Sequence, residues 1–389
     1  MLYKRVLFII DSLGIGGAEK SLLALLSQLN LQKYHVDLWI LHRGGELEGF
    51  IPDGINVLPS PHYSAFEGLL LRLSRMYYSI KHRTQRIFGH KCHLAETLWK
   101  CTGWAAKVPS ETYDVAIAYQ QGLPTYLVTK KIHAKKMIVW DNINMMVAGY
   151  DMNYNRQFYS KADHIITVSE ELQKLMTSYY PELSEKMACV YDILSPAFIL
   201  NQSAIANAVS LHRQDKETLI VTVGRIAIQK NYPLVIETAH LLRERSVDFR
   251  WFIVGDGPER ENIESLISDH HLQQTVILLG AKTNPYPYIR QCDIYVQTSS
   301  FEGFGLTIAE AKILGKPVVT TNFDVVHNQI RHEENGLIAD MTPESVAENI
   351  MRLIADHDLR QHIVDNVLNE QNTTADTEIK KVESLLDED

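Results

Sequence analysis

Two carboxylates, Glu302 and Glu310, bracket a short glycine-containing segment, Gly303-Phe304-Gly305. The segment feeds a predicted helix over 307–314, halted by Gly315 and Pro317. A helix reached through glycines presents unsatisfied backbone N–H groups and a positive dipole end, which suit a phosphate. Upstream, Arg225 and Lys230 put two cations on one loop. A guanidinium fork and an ammonium point charge can straddle a diphosphate. The chemistry in view is capture of a phosphorylated ligand. Each feature also has a plain structural explanation. Thr307 with Glu310, and Ser299 with Glu302, have capping-box spacing. Arg and Lys are ordinarily surface residues.

The elements that must position these residues alternate between strand and helix. In the second half, strands are predicted at 218–223, 249–254, 275–279, 293–297 and 318–320. Helices are predicted at 232–243, 259–269, 287–291, 307–314, 325–331 and 343–354. The strands end in Gly224-Arg225, Gly255-Asp256, Gly280 and Ser299-Ser300, so small residues form a shelf where a ligand can approach the backbone. The first half begins the same way. An apolar run at 6–10 is followed by a glycine-rich turn, a helix at 21–29 and a strand at 36–41. Further short strands are expected at 54–58, 115–118, 137–140 and 164–168. The turn fails the dinucleotide fingerprint, because Glu19 stands where the third glycine is needed. Gly16 and Gly17 suit either a phosphate or a tight turn. Gln120-Gln121 and Asp141-Asn142 follow two of the first-half strands and are ligand candidates there. The region 194–207, with Ser-Pro and then Asn-Gln-Ser-Ala, reads as a linker. The expectation is an α/β chain of two domains, 1–195 and 196–370, followed by a segment 371–389.

Composition sets the outer limits. The chain has 389 residues, 46% of them hydrophobic, ordinary for a globular protein of two cores. No apolar run approaches the ~20 residues that span a bilayer. The run at 6–10 is too short for a signal-peptide core, so a cytosolic protein is expected. Four cysteines without a CxxC pair, and histidines without a ligand spacing, argue against a disulfide framework or a metal site. The net charge of −9 divides into +3 over residues 1–200 and −12 over the rest, a poor balance for nucleic-acid binding. The stretch 68–107 differs in kind. It carries Arg72, Arg75, Lys81, Arg83, Arg86, Lys91, Lys100 and Lys107 with Glu96 as its one acid, interleaved with Leu, Ile, Tyr and Trp. Such a stretch either lies on an anionic membrane surface or is the solvated face of ordinary helices.

Taken together, these segments resemble the retaining, nucleotide-sugar-dependent glycosyltransferases of family 4 (glycosyl transferases group 1), with two facing Rossmann-like domains, the GT-B fold. The resemblance rests on Glu302-Gly-Phe-Gly-Leu-Thr-Ile-Ala-Glu310-Ala, on Gly224-Arg225 with Lys230-Asn231, and on Val254-Gly-Asp-Gly-Pro-Glu259. Gly16-Gly17-Ala-Glu19 and Ala162-Asp-His-Ile-Ile-Thr-Val-Ser-Glu170 extend it over the first half. It implies that Arg225 and Lys230 hold the donor diphosphate and that Glu310 binds the ribose. It implies that Glu302 contacts the donor sugar, and that N–H groups of Phe304, Gly305, Leu306 and Thr307 contact sugar and phosphate. Gly16 and Gly17 would approach the diphosphate from the other domain, Gly280, Ala281 and Lys282 would flank the base, and Gly255 is among the donor-binding residues. The final helix would cross back to the first domain. Many relatives place a histidine on the first-domain side of the transferred sugar. Here Gln120, Gln121, Asp141 and Asn142 are the candidates, Asp141 foremost. The implied activity is metal-independent transfer from a nucleotide sugar, UDP-sugar by default, to a lipid-linked or cell-surface glycan, without cofactor. A sugar-nucleotide epimerase or glycogen-type synthase of the same fold, and a non-catalytic nucleotide-binding member, are the alternatives.

Overall fold

The computed structural model describes residues 3–59, 65–87, 93–205, 211, 213, 216–370 and 373–388. The chain divides into two compact units. One is Met1–Leu194 with Thr374–Asp389, the other Ser195–Thr373.

The first unit is built on a parallel sheet of β1 (Lys4–Ser12), β2 (Tyr34–His42), β3 (Asn56–Val57), β4 (Thr112–Ala118), β5 (His133–Asp141), β6 (His164–Thr167) and β7 (Met187–Cys189). Its order among the described residues is β3-β2-β1-β4-β5-β6-β7. Val6 pairs with Val36 on one side and with Val115 on the other, so β1 is central. Val6 to Ile10 are buried throughout. That is why this strand reads as an unbroken apolar run rather than an alternating one.

The second unit has β8 (Thr218–Val223), β9 (Phe249–Val254), β10 (Val276–Gly280), β11 (Ile294–Gln297), β12 (Val318–Thr321) and β13 (Leu337–Ala339), in the order β10-β9-β8-β11-β12-β13. Each sheet grows outward from its first strand and then jumps back to that strand's other side. The switch falls between β1 and β4 in one unit and between β8 and β11 in the other. Ligand crevices in open α/β sheets form at the carboxyl ends of strands beside such a switch.

Several expectations are corrected. The region read as a linker holds a helix, Pro196–Ser203, whose N-cap Ser195 accepts from the Phe198 amide (3.3 Å). Ser195-Pro196 supplies a cap and a first helical residue. Residues 206–207 of that region lie outside the described residues. The helix expected at 325–331 is only a short 3-10 turn, Val326–Asn328. The Asn335 side chain takes the backbone after it instead, accepting from the Arg331 amide (2.7 Å) and donating to the Gln329 carbonyl (3.0 Å).

The helix Thr373–Asp387 belongs largely to the first unit. Its Ile379, Val382, Leu385 and Leu386 join the same apolar cluster as Val6 to Ile10. Its last carbonyls, which have no helical partner, accept from lysines of the sheet. Lys4 Nζ donates to the carbonyls of Leu386 (3.0 Å) and Asp387 (2.9 Å), and Lys136 Nζ to that of Leu385 (3.1 Å). Cations at a helix C-terminus complement its dipole.

The stretch 68–107 contains the helix Ala65–Ile87, packed against the helix Leu94–Thr102. Residues 88–92, with Lys91, and the side chains of Lys81 and Arg86 lie outside what the structure describes. Leu71 is buried and Tyr78 half-buried on one face of the longer helix. On the opposite face Leu69, Leu73, Met76, Tyr77 and Ile80 are each 50–59% exposed. At about 100° per residue these five share one arc, and exposed Arg72 and Arg83 border it. Among the described residues no helix is long and apolar enough to cross a membrane.

Candidate functional site

The loop after β8 carries the two cations. Gly224 accepts from the Tyr232 hydroxyl (2.8 Å), and the Ile226 amide donates to the Asp256 carbonyl (3.0 Å), pinning the loop to its neighbours. Close packing, rather than flexibility, requires the glycines alongside. A methyl group at Gly255 would sit 1.9 Å from the Gly224 carbonyl oxygen, and one at Gly257 2.3 Å from that of Ile226. The chain then makes a 3-10 turn, Ile228–Lys230, and Asn231 takes a left-handed conformation (φ 50°) that admits the helix Tyr232–Glu244.

The loop after β11 is sewn to that turn. Thr298 Oγ1 donates to the carbonyls of Lys230 (2.9 Å) and Asn231 (3.2 Å), and the Ser300 amide to that of Gln229 (2.9 Å). Gln229 Nε2 donates to the Phe301 carbonyl (3.0 Å). Arg225, Lys230 and Glu302 are thereby brought to the β8–β11 switch.

Their states differ. Glu302 Oε1 accepts from Lys230 Nζ (2.5 Å), Ser299 Oγ (2.5 Å) and Gln297 Nε2 (2.7 Å). Arg225 is exposed and has no hydrogen-bond or ion-pair partner among the described residues. The site therefore holds one committed cation and one available cation.

The helix Leu306–Ile313 starts one residue earlier than the sequence suggests. Its N-cap is Gly305 in the left-handed region (φ 91°), with no side-chain cap. The capping box expected between Thr307 and Glu310 is not formed. Thr307 Oγ1 donates to Gln297 Oε1 (2.8 Å), and Glu310, fully buried, accepts from the Tyr286 hydroxyl (2.9 Å). Burial, reinforced by the Glu310 carboxylate, pushes the Tyr286 phenol far up, so it stays a neutral donor. Ser299 and Glu302 meet directly, but hydroxyl to carboxylate rather than as a cap. Gln329 Nε2 donates to the Phe304 and Gly305 carbonyls and braces the glycine loop. Phe304, Leu306 and Thr307 are half-buried along this opening turn. Gly280 (φ 74°) and exposed Ala281 end β10, and the Gly255 amide donates to the Gly280 carbonyl (3.0 Å).

In the first unit, Gly16 is the extended N-cap of the helix Gly17–Leu26, again without a side-chain cap. The position beside it is taken by Glu19, whose Oε2 would lie 2.2 Å from a methyl group at Gly16. Burial pushes the Glu19 carboxyl up, its own backbone amide pulling the other way. Gln120 sits at the β1–β4 switch. Its Oε1 accepts from the Asp11 amide (3.2 Å), and its Nε2 donates to Glu19 (3.0 Å). Gln121 Oε1 accepts from the Asn142 amide (3.2 Å). Asp141 lies one strand further out and is fully buried. Its Oδ1 accepts from the Tyr159 hydroxyl (2.5 Å), while Oδ2 has no partner among the described residues. Burial pushes this carboxyl up to about 7.

Gln297, Gln229, Tyr286 and Gln329 are the site residues that sequence reasoning missed. Three are amides, a type that carries no chemistry of its own. The one available signal was Gln297, a polar residue ending an otherwise apolar strand.

Residues 206–369 match the family model of the glycosyl transferases group 1. An uncharacterized glycosyltransferase of Methanocaldococcus jannaschii is 29% identical over 209 residues, which is 52% of this chain and 53% of that protein, so the chain spans about half the length of this relative. The N-acetylgalactosamine-N,N'-diacetylbacillosaminyl-diphospho-undecaprenol 4-alpha-N-acetylgalactosaminyltransferase of Campylobacter jejuni is 26% identical over 364 residues, 90% of each chain. The crystal structure of Anabaena HepE with UDP and glucose superposes with a TM-score of 0.68 at 17% identity, covering 99% of both chains. Two parallel sheets, each with its switch, give this chain the GT-B fold of that structure, and the segment 206–369, which holds the cation–carboxylate site, is similar to the glycosyl transferases group 1.

Proposed function

We propose that the protein is a retaining, metal-independent glycosyltransferase that moves a sugar from a nucleoside diphosphate sugar, UDP-sugar by default, to a lipid-linked or cell-surface glycan. The carrying observation is the arrangement at the β8–β11 switch: Arg225 available, Lys230 paired with Glu302, and an uncapped helix start at Gly305. In the reaction the anomeric carbon–oxygen bond to the diphosphate breaks, and negative charge develops on the leaving phosphate. Arg225, Lys230 and the helix N-terminus stabilise that charge. The acceptor hydroxyl oxygen bonds to the anomeric carbon, and its proton leaves with the nucleoside diphosphate on the same face. Glu302 holds the donor sugar and Glu310 the ribose.

Two likenesses support the choice of substrates. The Anabaena structure contains UDP and glucose, and the Campylobacter enzyme's name specifies a diphospho-undecaprenol acceptor. An acceptor of that kind would place the protein at a membrane. The exposed apolar arc of the helix Ala65–Ile87, bordered by arginines, suits an anionic lipid surface.

The deciding experiment combines thermal shift and donor hydrolysis across UDP-, GDP- and ADP-sugars. One nucleotide class should stabilise the protein, and Arg225→Ala and Glu310→Ala should abolish that stabilisation. Arg225→Ala and Glu302→Ala should each lose most transfer. Stabilisation by none of the three classes, or full activity in both of those variants, would refute the assignment.

A further inference from the structure

Gln297, the last residue of β11, is buried, and its amide is fully used. Oε1 accepts from the hydroxyls of Tyr295 (2.9 Å) and Thr307 (2.8 Å). Nε2 donates to Ser299 Oγ (3.0 Å) and to Glu302 Oε1 (2.7 Å). A primary amide offers two donor hydrogens and two acceptor lone pairs, and here all four are engaged. Its orientation is dictated by chemistry. An ionised carboxylate only accepts, so the nitrogen must face Glu302, while either hydroxyl can turn to donate to the oxygen.

The two oxygens of Glu302 are consequently unlike. Oε1 takes three donors, Lys230, Ser299 and Gln297, whereas among the described residues Oε2 receives only Gln229 Nε2, at 3.3 Å. An oxygen with three short donors has no capacity left for a ligand hydroxyl. We propose that Gln297 is the positioning residue of this site. It locks Glu302 through Oε1 so that Oε2 alone meets the ligand. Through Thr307 it sets that carboxylate against the first turn of the helix Leu306–Ile313. The inference rests on the assignment of Glu302 to the donor sugar made above. It adds which oxygen does the work and what holds it. Leucine at 297 would strip a donor from Glu302 and take the acceptor from the Thr307 hydroxyl, while the Tyr295 hydroxyl keeps the Val223 carbonyl (3.3 Å). Glutamate would keep the acceptor but oppose a second carboxylate to Glu302.

The test is nucleotide release from UDP-, GDP- and ADP-sugars by the full chain as wild type, Q297L, Q297E, E302A and Q297L/E302A, with thermal melts as a folding control. Q297L should lower kcat tenfold or more while donor KM stays within about threefold, and should add no loss to E302A, because both act through one carboxylate. In Q297E the two facing carboxyls should share a proton, and the protonated side chain then donates as the amide does. Its kcat relative to wild type should therefore climb as pH falls from 8 to 6, a profile that a packing defect does not produce. If Q297L does not fold, the Q297E profile decides alone. Wild-type kcat in the 297 variants with E302A inactive would overturn the positioning role and leave the donor-site reading standing. Wild-type rates in E302A, or no nucleotide release by the wild type from any donor, would overturn both.

Discussion

Lys230 and Arg225 sit five positions apart on one loop and hold different obligations. Lys230 is paired with a nearly buried carboxylate, and Arg225 has no partner among the described residues. Arg225→Ala should change stability by less than about 0.5 kcal/mol, as surface substitutions do. Lys230→Ala should cost about 1–3 kcal/mol by withdrawing a charged partner from Glu302. Denaturant midpoints of the two variants check this, and equal midpoints would contradict it. Asp141 carries a different signature. Its carboxyl stands near 7 in the folded state against an ordinary 3.8, because burial disfavours the charge. A raised carboxyl pKa contributes stability below pH ~4 that is lost as pH rises through 7, at up to about 1.4 kcal/mol per pH unit. Asp141→Asn should flatten that loss, so the variant gains on the wild type between about pH 4 and 7 in thermal melts. Parallel curves would refute it. The sequence marked Glu302, Glu310, Arg225 and Lys230 because charge is visible in a one-letter string. It missed Gln297 and Tyr286 because their contribution is orientation, which only the folded neighbours disclose.

Strand and loop identity was readable wherever burial on both faces produced an unbroken apolar run, as in β8 and β9, where observed and expected limits coincide. It failed where the signal was short or ambiguous. β7 and β13 have three residues each, and Ser195-Pro196 starts a helix in the region read as a linker. Glycines were read as ligand-facing, yet Gly255 is required by the neighbouring backbone. Gly255→Ala should destabilise the second unit by about 1–3 kcal/mol, since the added methyl meets a carbonyl that cannot swing aside as a side chain would. Its melting temperature reports this, and an unchanged value would show that the loop after β8 yields freely. The helix Ala65–Ile87 carries its own expectation. Leu73→Glu with Met76→Glu puts charge on the exposed arc without touching the packed face. Retention on vesicles containing anionic lipid at low salt should fall several-fold, with the melting temperature unchanged. Equal retention of variant and wild type would remove the lipid surface as this helix's partner.

At the scale of the molecule, the first unit is closed by residues from the far end of the chain. Removing residues 371–389 would strip Ile379, Val382, Leu385 and Leu386 from its core. At about 1.5–3 kcal/mol per buried apolar side chain, that loss matches the whole stability of an ordinary domain, about 5–15 kcal/mol. The truncated chain should show rapid proteolysis confined to the first unit, and protection equal to the full chain would refute this. The same feature bears on biosynthesis. At about 5–20 residues per second, a ribosome that has finished residue 194 needs roughly ten to forty seconds to reach 374–388. Through that interval the strands of the second unit are added one after another while the first keeps an uncovered apolar seam. The nascent chain's window of exposure to holdase chaperones is thus written into which segment completes which core.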